Sequence, residues 1–403
     1  MSFFSLPSVV TDYSLIESIK FEQKIVSEIN PIINITLCSY INGAKKQIDS
    51  RQIEWERLKK YTNTYEYIHT HIPNTKQNVC KLTPLSRSFY KMIEICKTLR
   101  ISDSIPLDKC KSFHFAEGPG GFIEALNYIR DNSHDCYYGM TLLDEGISNI
   151  PGWKKSQEFL EKTPQVSLWP GSSGDGDMMN AENLIDCHNH HKSSCEFVTG
   201  DGGFDFTMDF KHQEAVSLKL TFSQCAYAFA CQKTGGTFVV KVFDTYTPAS
   251  IDILYMLASV YEKIFVFKPH TSRQANSEKY IVCKNFKLKN TNELINAMYK
   301  IIKSFEENKY PHRFLNCEIP YNFICNLQEI NAILGQSQLE NISSTINIID
   351  SCSIERLENL KRNHIGKCVT WCQKFKIPYN KIYPSSNIFM TPESEIYIDS
   401  DVQ

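Results

Sequence analysis

Between residues 110 and 290 short apolar runs alternate with stretches of helical periodicity, the signature of an α/β sheet. SFHFA (112–116) predicts a strand, followed by the turn EGPGG and a helix with Phe122, Ala125, Leu126 and Ile129 on one side. CYYGMTL (136–142) predicts a second strand, and CEFVTGD (195–201) another, before a long helix to about Lys233. TGGTFVVKVF (234–243) reads as a turn and then a strand rich in β-branched residues. A helix follows Pro248, and KIFVFK (263–268) and KYIVCKNF (279–286) complete the set of strands.

The flanks differ in character. Residues 1–105 read as mostly helical, residues 106–290 hold the sheet, and residues 291–403 are helical again. Lys45, Lys46, Arg51, Arg57, Lys59 and Lys60, with Tyr61, Tyr65 and Tyr67 close behind, form either a solvated helix face or a basic, aromatic arm over a nucleic-acid groove. A second basic stretch carries Lys361, Arg362, Lys367, Lys374 and Lys376, and the last residues, with Glu393, Glu395, Asp399 and Asp401, read as an acidic frayed tail. Because 43 Lys and Arg face 45 Asp and Glu, any nucleic-acid binding has to come from a local groove rather than from bulk charge. No apolar run approaches the ~18 residues of a membrane span. The best one, 251–267, is broken by Asp252, Glu262 and Lys263. The first residues lack a basic start and a cleavable apolar core, so no secretory signal is expected. Fifteen cysteines without any CxxC spacing read as reduced thiols, many of them buried, which suits the cytosol or nucleus.

Four features could carry chemistry. A strand running into Gly118-Pro119-Gly120-Gly121 and then a helix lets backbone approach a ligand and aims helix amides at it, although a plain tight βα turn explains the same residues. The spacing is neither that of a dinucleotide fingerprint nor that of a phosphate-binding loop ending in Lys-Ser/Thr. Asp201 ends a strand, at the edge where open α/β sheets bind ligands. Lys241 interrupts a run of Phe238, Val239, Val240, Val242 and Phe243, a costly place for a charge unless it reaches a partner or a site. Glu278 stands just before another strand. Cys187, His188, His190, His191 and Cys195 cluster in sequence, but their spacing fits no standard zinc site, and no metal is expected; Cys368 and Cys372, four apart on a helix, read as core.

Taken in order, AEGPGGF (116–122), YYGMTL (137–142), GDGD (174–177), GDGGF (200–204), GGTFVVKVFD (235–244) and KPHTSRQANSEKYIVCK (268–284) resemble the FtsJ-like RNA ribose 2′-O-methyltransferases. The likeness is greatest to the mRNA cap methyltransferases of eukaryotes and large DNA viruses, and it covers less than half the chain. The resemblance implies a doubly wound, Rossmann-like sheet that binds S-adenosyl-L-methionine and a Lys-Asp-Lys-Glu catalytic set. By motif match Asp201, Lys241 and Glu278 take the last three places. The first lysine comes from SRSFYKMIEICK, where Lys91 is chosen over Lys97. Glu117, Gly118, Pro119, Gly120, Gly121 and Phe122 would form the cofactor turn, with Asp201 nearby and Asp175 and Asp177 toward the adenosine part. Asp144 and Glu145 come slightly late for a ribose-hydroxyl role.

The chemistry implied is attack of a ribose 2′-hydroxyl on a sulfonium methyl, with Lys241 as base. Lys91 would supply a positive field, while Asp201 and Glu278 orient the lysines and the hydroxyl. A lysine base has to fall from its usual ~10.4, which burial and a neighbouring cation favour and carboxylates oppose. The expected substrate is RNA, 5′-capped mRNA first, with phosphates met by Lys268, Arg273 and Lys279. An rRNA or tRNA ribose methyltransferase and a non-catalytic RNA-binding subunit of a capping complex are the alternatives. The C-terminal region is expected to be a helical layer on the core, or else an RNA clamp or a docking site for capping or transcription partners. An AT-rich composition hints at a large virus or a protist, and for a virus the site of action would be a cytoplasmic replication site or the virion.

Overall fold

A computed structural model describes residues 3–9, 15–143, 152–203, 212–351, 353–380 and 382. In chain order, β1 (Phe3–Leu6), the short α1 (Leu15–Ser18) and β2 (Ile19–Lys24) precede α2 (Ile35–Asp49), α3 (Gln52–Leu58) and α4 (Ser88–Thr98). The sheet proper begins with β3 (Lys111–Phe115), α5 (Gly121–Arg130), β4 (Cys136–Met140), α6 (Gln157–Lys162) and β5 (Val166–Leu168). It continues through α7 (Ala181–His191), β6 (Cys195–Gly200), α8 (Gln213–Cys231), β7 (Gln232–Val242), α9 (Pro248–Val260), β8 (Tyr261–Phe267) and β9 (Lys279–Phe286). Last come α10 (Asn292–Lys303), β10 (Tyr310–Leu315), α11 (Tyr321–Asp350) and α12 (Ile354–Phe375).

Among the described residues, eight strands form one sheet in the order β1-β8-β9-β7-β6-β3-β4-β5. From β5 to β7 all neighbours are parallel, whereas β9 runs antiparallel to both β7 and β8. The chain leaves β3 toward β4 and β5 and then returns to β6 on the other side of β3. The carboxyl ends of β3 and β6 therefore flank the switch point where such sheets bind ligands. Antiparallel β9 brings its first residues to that same end, which is how a carboxylate placed before a strand reaches residues placed after strands.

Strand parity decides which side chains face which helices. On β7, Phe238, Val240 and Val242 join the core formed with α8 and α9, while Val239 joins the opposite core, formed with α4, α5 and α12. Lys241 shares the parity of Val239 and so points to the α4 side. On β9, Tyr280 and Val282 face that side too, and Ile281 and Cys283 face away. Register pairs Lys241 with Tyr280 across β7 and β9 and Val240 with Gly200 across β7 and β6.

The flanks are mostly helical but add three short strands. Phe3–Leu6 adds a strand antiparallel to β8, and Ile19–Lys24 pairs with Tyr310–Leu315 in a separate two-stranded sheet. Both pairings join segments more than 250 residues apart, so local periodicity carries no sign of them. In β10, Pro311 breaks the pattern and Arg313 reaches Asp252 of α9 through its Nε at 2.8 Å. The three-residue β5 is likewise too short to stand out. Both flanks share the sheet's cores: Leu6, Ile33, Phe314 and Leu327 lie in one, Tyr67, Trp371 and Phe375 in the other. No helix among the described residues is long and apolar enough to cross a membrane. Asp144, Glu145 and the acidic tail with Glu393, Glu395, Asp399 and Asp401 lie outside the described residues.

Candidate active site

At the carboxyl end of the sheet the four candidate residues form two lysine–carboxylate pairs. Lys91, on α4, places Nζ 2.7 Å from Glu278 Oε1, and Ser272 Oγ donates to the same oxygen at 2.8 Å. Lys241, at the end of β7, places Nζ 2.6 Å from the Asp201 carbonyl and 3.2 Å from its Oδ1. Tyr280 joins the pairs, since its hydroxyl donates to Asp201 Oδ1 at 3.0 Å and lies 3.5 Å from Lys91 Nζ. Lys91, not Lys97, meets Glu278; Lys97 lies near the other end of α4 and donates to the carbonyl of Phe375.

Burial sets the electrostatics of the first pair. It opposes the Glu278 charge, but Lys91, Lys241 and Lys268 overcome it and hold the carboxyl well below the usual range. Burial also pulls the Lys91 ammonium down, against the pull of Glu278 and Asp201. The Tyr280 hydroxyl is pushed up by burial and by Asp201, so it stays a neutral donor.

Contrary to the expectation from the sequence that they meet phosphates, Lys268 and Lys279 do not face solvent. Lys268 is buried and donates to the carbonyls of Asn276 and Glu278, both at 2.7 Å, and to Asn276 Oδ1 at 2.8 Å, fixing the turn that presents Glu278. Burial pushes its ammonium down to about 7. Lys279 is buried as well and donates to the Phe243 carbonyl. Lys268 directly follows β8 and Lys279 opens β9, and backbone carbonyls of neighbouring segments capture both ammonium groups. Arg273 remains beside a cavity, paired with Glu66.

The glycine turn lies beside this site. Phe115 pairs with Gly200, and the Asp201 amide donates to the Phe115 carbonyl at 3.2 Å, so the turn after β3 and the end of β6 are neighbours. Gly120 has φ +109°, a conformation that side chains rarely adopt. Gly121 has a different constraint: a Cβ there would lie 2.2 Å from Ser88 Oγ at the start of α4. The turn is thus packed directly onto the helix that carries Lys91. Phe122 faces the core rather than the turn, with its ring centroid 5.8 Å from that of Tyr280.

Glu117 is buried, and its Oε1 accepts from the amides of Phe122 at 2.5 Å and Ile123 at 3.2 Å, capping α5. Its Oε2 is enclosed with no partner among the described residues. Burial, aided by Asp201, pushes this carboxyl well above the usual range. An orphaned buried acid beside a glycine turn fits a ligand that brings a cationic or donor group. On the far side, Gly176 packs onto the end of β4, where a Cβ would meet the Thr141 carbonyl at 1.9 Å. The Leu143 amide donates to the Asp175 carbonyl at 2.7 Å, which ties the GDGD turn alongside. Asp175 Oδ1 accepts from the Asp177 amide at 2.9 Å, and Asp177 Oδ1 from the Met179 amide at 2.8 Å. Both carboxylates order their own turn at the rim of the crevice.

Tyr280 and Ser272 were not among the sequence candidates. Tyr280 lies two residues beyond Glu278 at the start of an antiparallel strand, so parity alone would have placed it on the same face as Glu278. Ser272 offers no such signal. Of the Cys-His run, Cys187 and Cys195 lie in the core, and His191 packs its ring against Tyr138 and Phe113 at centroid distances of 4.7 and 5.0 Å. His188 Nδ1 lies 3.2 Å from the Ala230 carbonyl. Cys368 and Cys372 are buried in the core that α12 shares with α4.

The FtsJ-like methyltransferase family model matches residues 84–286, a span that opens just before α4 and closes with β9. A zebrafish (Danio rerio) cap-specific mRNA (nucleoside-2′-O-)-methyltransferase 2 is 26% identical over 84% of this chain and 46% of its own length. A human cap-specific mRNA (nucleoside-2′-O-)-methyltransferase 1 is 36% identical over 42% of this chain and 21% of its own. The chain thus spans less than half the length of these curated relatives. Among solved structures, human methyltransferase-like protein 13 in complex with SAH aligns with 55% of this chain and 95% of its own, at 12% identity and a TM-score of 0.34, a likeness too distant to bear on function. The matched span holds the glycine turn, both lysine–carboxylate pairs and the strands that carry them, and on that match the chain belongs to the FtsJ-like methyltransferase family.

Proposed function

We propose that the protein is an S-adenosyl-L-methionine-dependent mRNA cap-type ribose 2′-O-methyltransferase. The observation that carries this reading is the joining of two lysine–carboxylate pairs through Tyr280 beside a glycine turn at the sheet's switch point. The Gly118–Gly121 turn and Glu117, with its unpartnered Oε2, would hold the methionine end of the cofactor, and Asp175 and Asp177 would border its adenosine end. When bound, S-adenosylmethionine supplies an electrophilic methyl and its own neutral leaving group, so the protein need only prepare the nucleophile. Lys241 Nζ, oriented by the Asp201 carbonyl and carboxylate, acts as the neutral amine and takes the proton of the ribose 2′-hydroxyl to become an ammonium. Lys91, clamped by Glu278, lends a fixed positive charge to the developing alkoxide. Tyr280 keeps the two pairs in register. The buried cysteines fit a reducing compartment, cytosol or nucleus.

Capped RNA is the substrate this reading favours, in keeping with the names of the relatives that align over most of the chain. The test is transfer of labelled methyl to RNAs that carry an N7-methylguanosine cap, an unmethylated cap, a 5′-triphosphate, or a cap with the first ribose already methylated. Transfer confined to capped RNAs is the expected outcome, and the pre-methylated RNA tells the first nucleotide from the second. Methylation indifferent to the 5′ end would move the substrate to internal RNA sites.

A further inference from the structure

Lys91 and Glu278 come from segments far apart in sequence, and their 2.7 Å contact depends on how the turn before β9 is held against α4. That turn is gripped on both sides of Lys91. Arg87, one turn before it, donates through Nη2 to the Thr271 carbonyl at 3.0 Å. Glu94, three residues after it, accepts from the His270 amide through Oε1 at 2.8 Å and from the Thr271 amide through Oε2 at 3.2 Å. The next residue is Ser272, whose Oγ donates at 2.8 Å to the Glu278 oxygen that meets Lys91. A closed ring results. Helix α4 holds residues 270 and 271, these place Ser272, Ser272 fixes Glu278, and Glu278 returns to α4 at Lys91.

Glu94 is only 1% exposed and belongs to neither lysine–carboxylate pair. A carboxyl group so deep in a protein is costly unless donors surround it. Besides the two amides, its Oε2 receives the Thr271 hydroxyl and the Trp371 indole N–H, each at 3.3 Å. All four are neutral donors, and among the described residues no ammonium or guanidinium forms an ion pair with it. The group therefore organises backbone rather than balancing a charge, and the backbone it organises leads directly to the residue that touches Glu278. Trp371 belongs to α12, so the C-terminal region reaches the active site through the same carboxyl group. Helix α11 adds a second hold on this turn, since Gln338 Nε2 donates to the Ala275 carbonyl at 3.0 Å.

Resting on the RNA methyltransferase reading, we propose that Glu94 is a positioning residue for the reaction. It holds residues 270 and 271 so that Ser272 keeps Glu278 on Lys91, and through Trp371 it makes α12 part of the active-site scaffold. It acts through Ser272 and Glu278, not on the substrate.

The experiment is a double-mutant cycle read in both rate and stability. Glu94→Gln keeps the shape of the side chain but turns an amide NH₂ toward groups that are themselves donors. Single-turnover methyl transfer, at saturating S-adenosylmethionine and capped RNA, should fall by roughly tenfold to a hundredfold, the scale of a displaced catalytic group. Cofactor affinity by calorimetry should hold within about twofold, because the glycine turn does not lean on Glu94. Ser272→Ala should slow the same step, and the double variant should be no slower than the slower single variant, since both act along one path. The urea unfolding free energies of the same variants should be non-additive as well. A folded Glu94→Gln with the wild-type rate would overturn the proposal, as would rate losses that multiply in the double variant. Where Glu94→Gln does not fold, Trp371→Phe repeats the cycle, because it removes one donor to Glu94 and leaves a ring in the core. Its rate should fall and should not compound with Ser272→Ala; an unchanged rate would overturn the proposal. Absence of methyl transfer by the wild type would remove the methyltransferase reading by itself. The unfolding arm then decides the role of Glu94, with non-additive stabilities supporting the ring and additive ones overturning it.

Discussion

The two lysine–carboxylate pairs look alike in sequence and differ in how each ammonium is held. Lys91 meets a carboxylate oxygen directly, at 2.7 Å, and that oxygen is further fixed by Ser272. Lys241 has a neutral carbonyl as its nearest acceptor, at 2.6 Å, with the carboxylate of Asp201 farther off at 3.2 Å and shared with Tyr280. A short ion pair away from water commits both charges to each other. A carbonyl contact steers the ammonium without consuming it. In the proposed mechanism the first pair is therefore the fixed electrostatic element, and the second supplies the lysine that engages the substrate hydroxyl.

Removing each lysine should break the two pairs in different ways. Lys241→Ala should lower single-turnover methyl transfer by about 10² to 10⁴. Cofactor affinity, followed by calorimetry, should stay within a few-fold, and unchanged turnover would remove Lys241 as base. Lys91→Met should act on stability as well, by about 3–5 kcal/mol in urea unfolding near neutral pH, because Glu278 would be left as a buried unpaired carboxylate. The sign of its pH dependence follows from Glu278, whose folded pKa lies below its unfolded value of ~4.3. The wild-type pair therefore stabilises the protein above that value and loses its contribution as pH falls toward the folded pKa. In Lys91→Met that acid loss should vanish, and adding Glu278→Gln should restore much of the neutral-pH stability. A variant equally stable with and without Lys91 would contradict the fixed pair. The smallest effect belongs to the link between the pairs: Tyr280→Phe should cost about 0.5–1.5 kcal/mol, a few-fold to tenfold in kcat with KM for the cofactor steady.

What could be read beforehand depended on whether the cause was local. Lys241 stands out because a charge inside an apolar strand run violates the pattern around it, and Asp201 because a strand ends there. The central strands repeat β-branched and aromatic runs that announce themselves. Lys91 carries no such mark: on an amphipathic helix it resembles Lys97, and only the packing of Gly121 against the first residues of α4 decides which lysine reaches Glu278. Lys268 and Lys279 look like surface cations, yet nearby carbonyls turn them inward. The strands β1, β2 and β10 depend on partners far away in sequence.

The most direct test of the catalytic account is the position of the transferred methyl on a capped RNA. After incubation with wild-type protein and S-adenosylmethionine, alkaline hydrolysis and mass spectrometry would be applied to the purified RNA. The account predicts a methyl on a ribose 2′-oxygen near the cap, which leaves the adjacent phosphodiester resistant to alkali, and far less of that product from Lys241→Ala in the same time. A methyl found on a base, or an alkali-resistant product made equally well by Lys241→Ala, would contradict it.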